Sequence, residues 1–389
     1  MSALGPLPFR VFANPRAGTP GTVVLTEAGF RRARAEITSW PVYAPTPLRN
    51  LAWAARVADV ASVSIKDEGE RFGLGSFKAL GGAYAVAQVL GGELARRGQA
   101  NVVVLADMEA GRYADVTRTI TMTCATDGNH GRSVAWGAQR FHCRCVIFVH
   151  ETVSQGRIDA IARYGAEVRR VPGTYDDAVR AAAQAATEHG WFVISDTSWP
   201  GYTSVPVDVM QGYRIMADEV LDQWTGAPPT HAFVQGGVGG VAAAVSVHLR
   251  TRVAPPPALI VVEPDRAACL LASAEAGERV AIPGDLDTLM AGLACGEPSL
   301  LAWQELERAA AAFMAVPDEA AVGCMRLLAR HGVVTGESGV AGLAALLLAA
   351  ADPVARETLG LTRQSRVLLF GTEGATDPEL YARLVGEGT

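Results

Sequence analysis

The sequence predicts an α/β fold of two lobes facing each other across a cleft, with parallel-rich sheets flanked by helices. Three observations carry that prediction. Between residues 119 and 195 short β-prone runs alternate with helical segments, the pattern of a parallel sheet whose crossovers are helices. The break Gly226-Ala227-Pro228-Pro229 interrupts the chain, and the alternation restarts at His231. Several strand-to-helix turns are rich in Gly or Asn, and ligands of open α/β sheets bind at the carboxyl ends of strands.

Taken in order, residues 1 to 50 read as an irregular lead-in, with Pro41, Pro45 and Pro47 fixing an extended entry to a helix over 51–57. A strand over 62–66 delivers the chain to a polar, Gly-punctuated loop ending at Ser76, a good N-cap for a helix that runs towards Leu90 and stops at Gly91-Gly92. Residues 107–118 read as an inserted loop. Then follow a strand over 119–124, the turn 125–131, and a helix through SVAWGAQRF. Strands over 146–149, 167–171 and 191–195 alternate with helices over 154–164 and 176–189, and a helix near 210–223 closes this lobe. The second half reads as strand 231–235, the loop 236–240, a helix to about Arg250 and strand 259–263. Helices around 300–312, 319–331 and 339–351 and a last strand over 366–370 complete it.

Composition narrows the function classes. The chain has 389 residues, 49% hydrophobic and 19% charged, with a net charge of −6, which suits a globular enzyme with a large core. No run of five or more Lys/Arg appears, so neither a nucleic-acid nor an anionic-membrane footprint is expected, and partners are small molecules. The N-terminus lacks the basic flank and apolar core of a signal peptide, and the apolar run 340–351 is too short to span a bilayer. Six cysteines without CxxC spacing fit reduced thiols, so the chain reads as cytoplasmic. His142-Cys143-Arg144-Cys145 is not read as a metal site, because alternating ligands on a strand point to opposite faces.

Four segments can carry chemistry. Lys78 falls in a first helical turn, where exposed N–H groups disfavour an ammonium and favour a neutral, nucleophilic amine. Gly236-Gly237-Val238-Gly239-Gly240 sits between a strand and a helix, where backbone N–H groups and the helix dipole can cradle a phosphate. The turn 125–131 offers N–H groups from Thr126, Gly128 and His130 to a carboxylate, the Asn129 amide to a ring hydroxyl, and the Asp127 carboxylate. Its plain alternative is an Asx-rich helix cap. Near the C-terminus, Thr372 in GTEGATD could offer a hydroxyl to a pyridine nitrogen, and Glu337-Ser338 could face the cleft. A rival reading starts from residues 237–242, which match GxGxxG/A and are followed by a strand ending in Glu263, as in an NAD-dependent oxidoreductase. That reading leaves everything before residue 200 unexplained.

Together, SFKALGGAYA, ATDGNHGRSVAWGAQ, DTSWPGY, MQGY, IVVEPD, TLMAGLACGEPS, GESGVAGL and TEGATD, preceded by YAPTPL, run in order from about residue 40 to 377. They resemble the successive blocks of the fold-type II pyridoxal-phosphate enzymes (tryptophan synthase β-like) and, within these, of the diaminopropionate ammonia-lyases. The resemblance implies a large cofactor-binding domain, 1–97 with 206–389, and a small mobile domain, 98–205, in a homodimer. It implies pyridoxal 5′-phosphate as cofactor, with Lys78 as its Schiff-base lysine, Asn129 as partner of the ring oxygen and 236–240 as the phosphate cradle. It further makes Asp127 a second catalytic base and Asp196 a substrate-recognition or proton-handling acid. Where the family carries Ser before TEG and Asp after it, this chain has Gly371 and Ala375, so the resemblance does not by itself assign the partner of the pyridine nitrogen, for which Thr372 is the candidate.

The implied reaction is α,β-elimination of D- and L-2,3-diaminopropionate to ammonia and an aminoacrylate that hydrolyses to pyruvate and a second ammonia. A dehydratase or lyase acting on serine, threonine or another β-substituted alanine, and a non-catalytic amino-acid sensor on the same scaffold, are the alternatives.

Overall fold

The computed structural model of the protein describes residues 3–99, 103–126 and 128–386. Eleven strands form two sheets. The larger takes β1 (Arg10–Ala13), β2 (Leu48–Asn50) and β3 (Ser62–Asp67) from the first part of the chain. The smaller takes β4 (Thr121–Ala125), β5 (Arg144–His150), β6 (Glu167–Val171) and β7 (Phe192–Val193). The chain then returns to the larger sheet with β8 (His231–Gln235), β9 (Ala258–Pro264), β10 (Ala310–Val316) and β11 (Arg366–Gly371).

The seven-stranded order is β1-β10-β9-β8-β11-β3-β2, and the four-stranded order is β6-β5-β4-β7. Only the edge strands β1 and β2 run antiparallel to their neighbours; all other pairings are parallel. Parallel strands covered on both faces need unbroken apolar runs. All five residues of β8 are accordingly buried. The 340–351 run becomes the helix Ala341–Ala351, buried from Ala341 through Ala349 and packed on β8. Among the described residues no helix is long and apolar enough to cross a membrane.

Four expectations need correction. The lead-in is structured: β1 pairs with β10, and Glu27–Thr38 is a helix capped by Thr26 Oγ1, which accepts from Gly29 N–H at 3.1 Å. Residues 107–118 hold parts of two short helices, Leu105–Glu109 and Ala114–Thr117. The helix read over 300–312 ends at Ala309, and Ala310 starts β10, an apolar strand buried between β1 and β9 whose tertiary setting overrides alanine's helix preference. The pair Gly91-Gly92 does not stop its helix, which continues to Arg96.

Each chemistry-bearing segment follows the carboxyl end of a strand. Lys78 comes after β3, the turn at 126–131 after β4, Asp196 after β7, the glycine loop after β8 and Thr372 after β11.

Candidate active site

Lys78 occupies the N-cap of the helix Ala79–Arg96. Ser76 instead bridges to Glu373, while Phe77 N–H donates to Thr372 O (3.1 Å) and Gly374 N–H to Gly75 O (2.9 Å). The turn after β11 is thus bonded directly onto the three residues before the lysine. Upstream, Arg71 is buried between Glu68 (2.7 Å) and Glu219 (2.8 Å), with Lys66 on Glu219 (2.6 Å) and Thr46 on Glu68 (2.6 Å). This cluster ties YAPTPL to the loop that carries Lys78. Its charges are paired, as burial demands.

The Lys78 ammonium meets Asp196 Oδ2 at 2.6 Å, with the two side chains 19% and 17% exposed. Burial alone would pull the lysine down, but Asp196, with Tyr213 and Cys295 adding to it, lifts Lys78 above its ordinary value. Burial likewise pushes Asp196 up, and Lys78, then His130, holds it well below the usual carboxylate range. The expectation of a neutral amine is therefore corrected for the ligand-free protein. A full negative charge at hydrogen-bond distance outweighs the partial charges of a helix start.

The glycine loop turns on Gly237 (φ 59°) and Gly239 (φ 94°) and opens the helix Gly240–Arg252. Gly239 N–H donates to Gly236 O (2.9 Å), whereas the N–H groups of Gly237, Val238 and Gly240 find no acceptor among the described residues. Unpaired N–H groups converging at a helix start suit a phosphate, so the loop fits the cofactor's anionic end. Glu263 does not serve a ribose. Its carboxylate accepts from Leu270 N–H (2.9 Å) and Leu271 N–H (2.8 Å), fully buried, which removes the support for a dinucleotide.

The structure places Asn129 at the start of the helix Asn129–Arg140. Its Nδ2 donates to Glu373 Oε2 (2.5 Å), and its Oδ1 accepts from Arg132 (2.6 Å). Of the three expected carboxylate donors, Thr126 N–H is already given to Phe148 O (3.0 Å) and Gly128 N–H to Thr126 Oγ1 (3.0 Å). Those two amides are spoken for by the turn itself. His130 Nε2 is bonded to Ile194 O (2.8 Å), which joins the turn to the segment carrying Asp196. Asp127 lies outside the described residues. Thr372 is buried at the end of β11.

Sequence reasoning left several neighbours without a role. Glu373 accepts from Ser338 N–H (2.9 Å) as well as from Asn129, and Arg157 pairs with Glu337 (2.9 Å) from the opposite side of the cleft. Tyr213, the last residue of MQGY, lies against Phe77 and Lys78. The buried position of Glu337 and Glu373 has no periodic signature. The glycines at 81 and 212, which bring two helices together at Tyr213, were the one available hint.

The pyridoxal-phosphate dependent enzyme family matches residues 40–362. Over 358 residues the chain is 41% identical to the diaminopropionate ammonia-lyase of Escherichia coli K12, covering 89% of this chain and 88% of that one. The crystal structure of the E. coli diaminopropionate ammonia lyase in complex with D-serine superposes with a TM-score of 0.90 at 36% identity, over 98% of both chains. Its complex with an aminoacrylate-PLP azomethine reaction intermediate gives 0.88 at 36% identity, over 99% of this chain and 98% of that one. With the glycine loop fitted to a phosphate and a lysine set at the mouth of both sheets, the chain belongs to the pyridoxal-phosphate dependent enzymes, as a member of the diaminopropionate ammonia-lyase family that takes pyridoxal 5′-phosphate as cofactor.

Proposed function

We propose that the protein eliminates ammonia from D- and L-2,3-diaminopropionate, so that diaminopropionate and one water become pyruvate and two ammonia. The observation that carries this reading is the Lys78–Asp196 pair, 2.6 Å apart at the carboxyl ends of strands from both sheets. Pyridoxal phosphate, when bound, supplies an electron sink for the charge left at Cα. Lys78 holds the cofactor and then moves protons at Cα and at the departing β-amine. Within the loop 236–240 the N–H groups of Gly237, Val238 and Gly240 would bind the phosphate, those of Gly236 and Gly239 being given to Val262 O and Gly236 O; Asn129 would meet the ring oxygen and Thr372 the ring nitrogen. The substrate carboxylate docks at the start of the helix Asn129–Arg140, with the Thr126 hydroxyl and the His130 N–H as donors. Asp196 meets the second ammonium of the substrate, which needs a counter-charge in a buried cleft. Asp127 serves the face of the substrate opposite Lys78.

The segment 98–205 is proposed as a small mobile domain that closes over substrate, a reading supported by the polar contacts it makes across the cleft, Asn129 to Glu373 and Arg157 to Glu337. A cytoplasmic setting is supported by six cysteines that are all unpaired. The homodimer rests on the family likeness, and sedimentation of the purified protein checks it.

Borohydride treatment of the yellow protein should fix the cofactor to the peptide containing Lys78. Pyruvate release should be much faster from 2,3-diaminopropionate than from serine or threonine. Lys78→Ala should lose most turnover yet retain some cofactor through the glycine loop. Unchanged turnover in that variant, or equal rates on all three amino acids, refutes the reading.

A further inference from the structure

Two glycines bring the helices Ala79–Arg96 and Ser204–Gln223 together one turn beyond Lys78. A Cβ on Gly81 would stand 2.5 Å from Tyr213 Cε1, and one on Gly212 would stand 1.9 Å from Leu80 O. Only without side chains at both positions does the Tyr213 ring reach the lysine. There it packs on Phe77 with ring centroids 4.6 Å apart, and Lys78 Nζ lies 5.8 Å from its centroid.

Tyr213 is 1% exposed, and its hydroxyl makes no hydrogen bond among the described residues. A buried phenol left in that state is costly, because water would have satisfied it. Burial raises the phenol's pKa and keeps it neutral, while the positive charge of Lys78 nearby opposes the rise. The other titratable groups facing Lys78 are Asp196 from the segment after β7 and Cys295 from the loop before the helix Leu300–Ala309. His130 and Cys124 stand behind Asp196.

We infer that Tyr213 is a positioning residue for Lys78, its phenol oxygen accepting one N–H of the amine while Asp196 accepts another. An amine has two N–H bonds and one lone pair. With both N–H bonds held, the lone pair has one direction left, and a proton taken up there is presented along the same line. Asp196 alone fixes one N–H and leaves the other hydrogen and the lone pair free to exchange places. The inference rests on the assignment of Lys78 as the functional lysine and adds the group that aims it.

Tyr213→Phe removes the oxygen and keeps the ring. The pH midpoint of Lys78 acetylation by trace acetic anhydride, read by mass spectrometry on its peptide in the full-length, cofactor-free protein, should fall by about half a unit or more, since the ammonium loses an acceptor. In the holoenzyme, kcat should fall about tenfold with KM little changed, as for loss of one hydrogen bond. The thermal midpoint should fall only slightly, because a single hydrogen bond is removed and the ring keeps its packing. An unmoved acetylation midpoint with unmoved kcat overturns the inference, as does a loss confined to thermal stability, which would make the hydroxyl a packing group. The acetylation measurement needs neither cofactor nor turnover. Failure of the assignment of Lys78 is read separately, in Lys78→Ala.

Discussion

Replacing Asp196 by Asn keeps the shape and one acceptor but removes the charge facing Lys78. At 2.6 Å an ion pair gains roughly 6 kcal/mol in a medium of effective dielectric 20, before the desolvation of both partners offsets part of it. With both side chains under one fifth exposed, a net loss of about 3 kcal/mol is expected when one partner is neutralised. The sign of the pH dependence follows from both partners. Asp196 is depressed, so its contribution is present above the ordinary Asp value of about 3.9 and fades as pH falls through its folded value. Lys78 is raised, so its contribution is present below the ordinary lysine value of about 10.4 and fades as pH rises through its folded value. Urea unfolding of the cofactor-free protein, wild type against Asp196→Asn, should therefore show a gap that is flat from about pH 4 to pH 10 and narrows outside that window. Equal stabilities at pH 7, or a gap that widens beyond the window, would refute the argument.

Asp127→Asn should cost turnover of D-2,3-diaminopropionate on the order of a hundredfold, within the range for loss of a general base, and the L-isomer much less; equal losses in separate pyruvate assays would reduce Asp127 to positioning. Gly212→Ala forces a methyl to within 1.9 Å of a backbone oxygen on the neighbouring helix, so stability should fall by about 3 kcal/mol, the upper range for overpacking. An unchanged thermal midpoint would mean the helices part freely. Glu337 is pushed up to about 7 by burial and then by Glu373, despite Arg157. A carboxyl raised in this way binds its proton more tightly folded than unfolded, so the wild type loses stability as pH climbs from 4.5 to 7. Glu337→Gln is spared that loss and should gain relative to wild type across the range by about 3 kcal/mol; a stability difference independent of pH would contradict it.

Much of this was legible in the sequence because it is local. Strand β8 followed by a glycine run and a helix declares itself within about twenty residues, and its bounds, His231–Gln235, are those the alternation predicts. The fold class follows from the same periodicity. What was not legible depends on residues far apart in the chain. The neutral-amine reading of Lys78 failed because Asp196, 118 positions away, sets the local field and no window around Lys78 contains it. The first three residues of β10 were taken for helix because they extend a run of four alanines before Phe313, and only the place of β10 between β1 and β9 makes them strand. The carboxylate site was read as a row of free amides, whereas Thr126 Oγ1 closes the turn by accepting from Gly128 and Gly131. A side chain that satisfies its own turn cannot be told from one that leaves it open by residue type alone.

The placement of Asp196 separates what is fixed in the cleft from what can change. Its own strand, β7, has only two residues and cannot hold it. Two residues on, Ser198 does. Ser198 N–H donates to Ser299 Oγ (2.9 Å), Leu300 N–H to Ser198 O (3.0 Å) and Leu301 N–H to Ser198 Oγ (2.9 Å), while Ser299 N–H donates to Val238 O (2.9 Å) in the glycine loop. A Cβ on Gly240 would lie 3.6 Å from Asp196 O. Although it follows a strand of the smaller sheet, Asp196 is therefore anchored to the same elements as the phosphate cradle and Lys78. The lysine's charge partner and the cradle form one rigid set. Asn129, by contrast, opens a helix that packs on β4 and β5 of the smaller sheet and on the helix Ala79–Arg96, and its own amide reaches across to Glu373 after β11. Asn129 and Arg157 thus meet Glu373 and Glu337 through side chains alone, whereas Asp196 is tied down through the backbone two residues on, at Ser198.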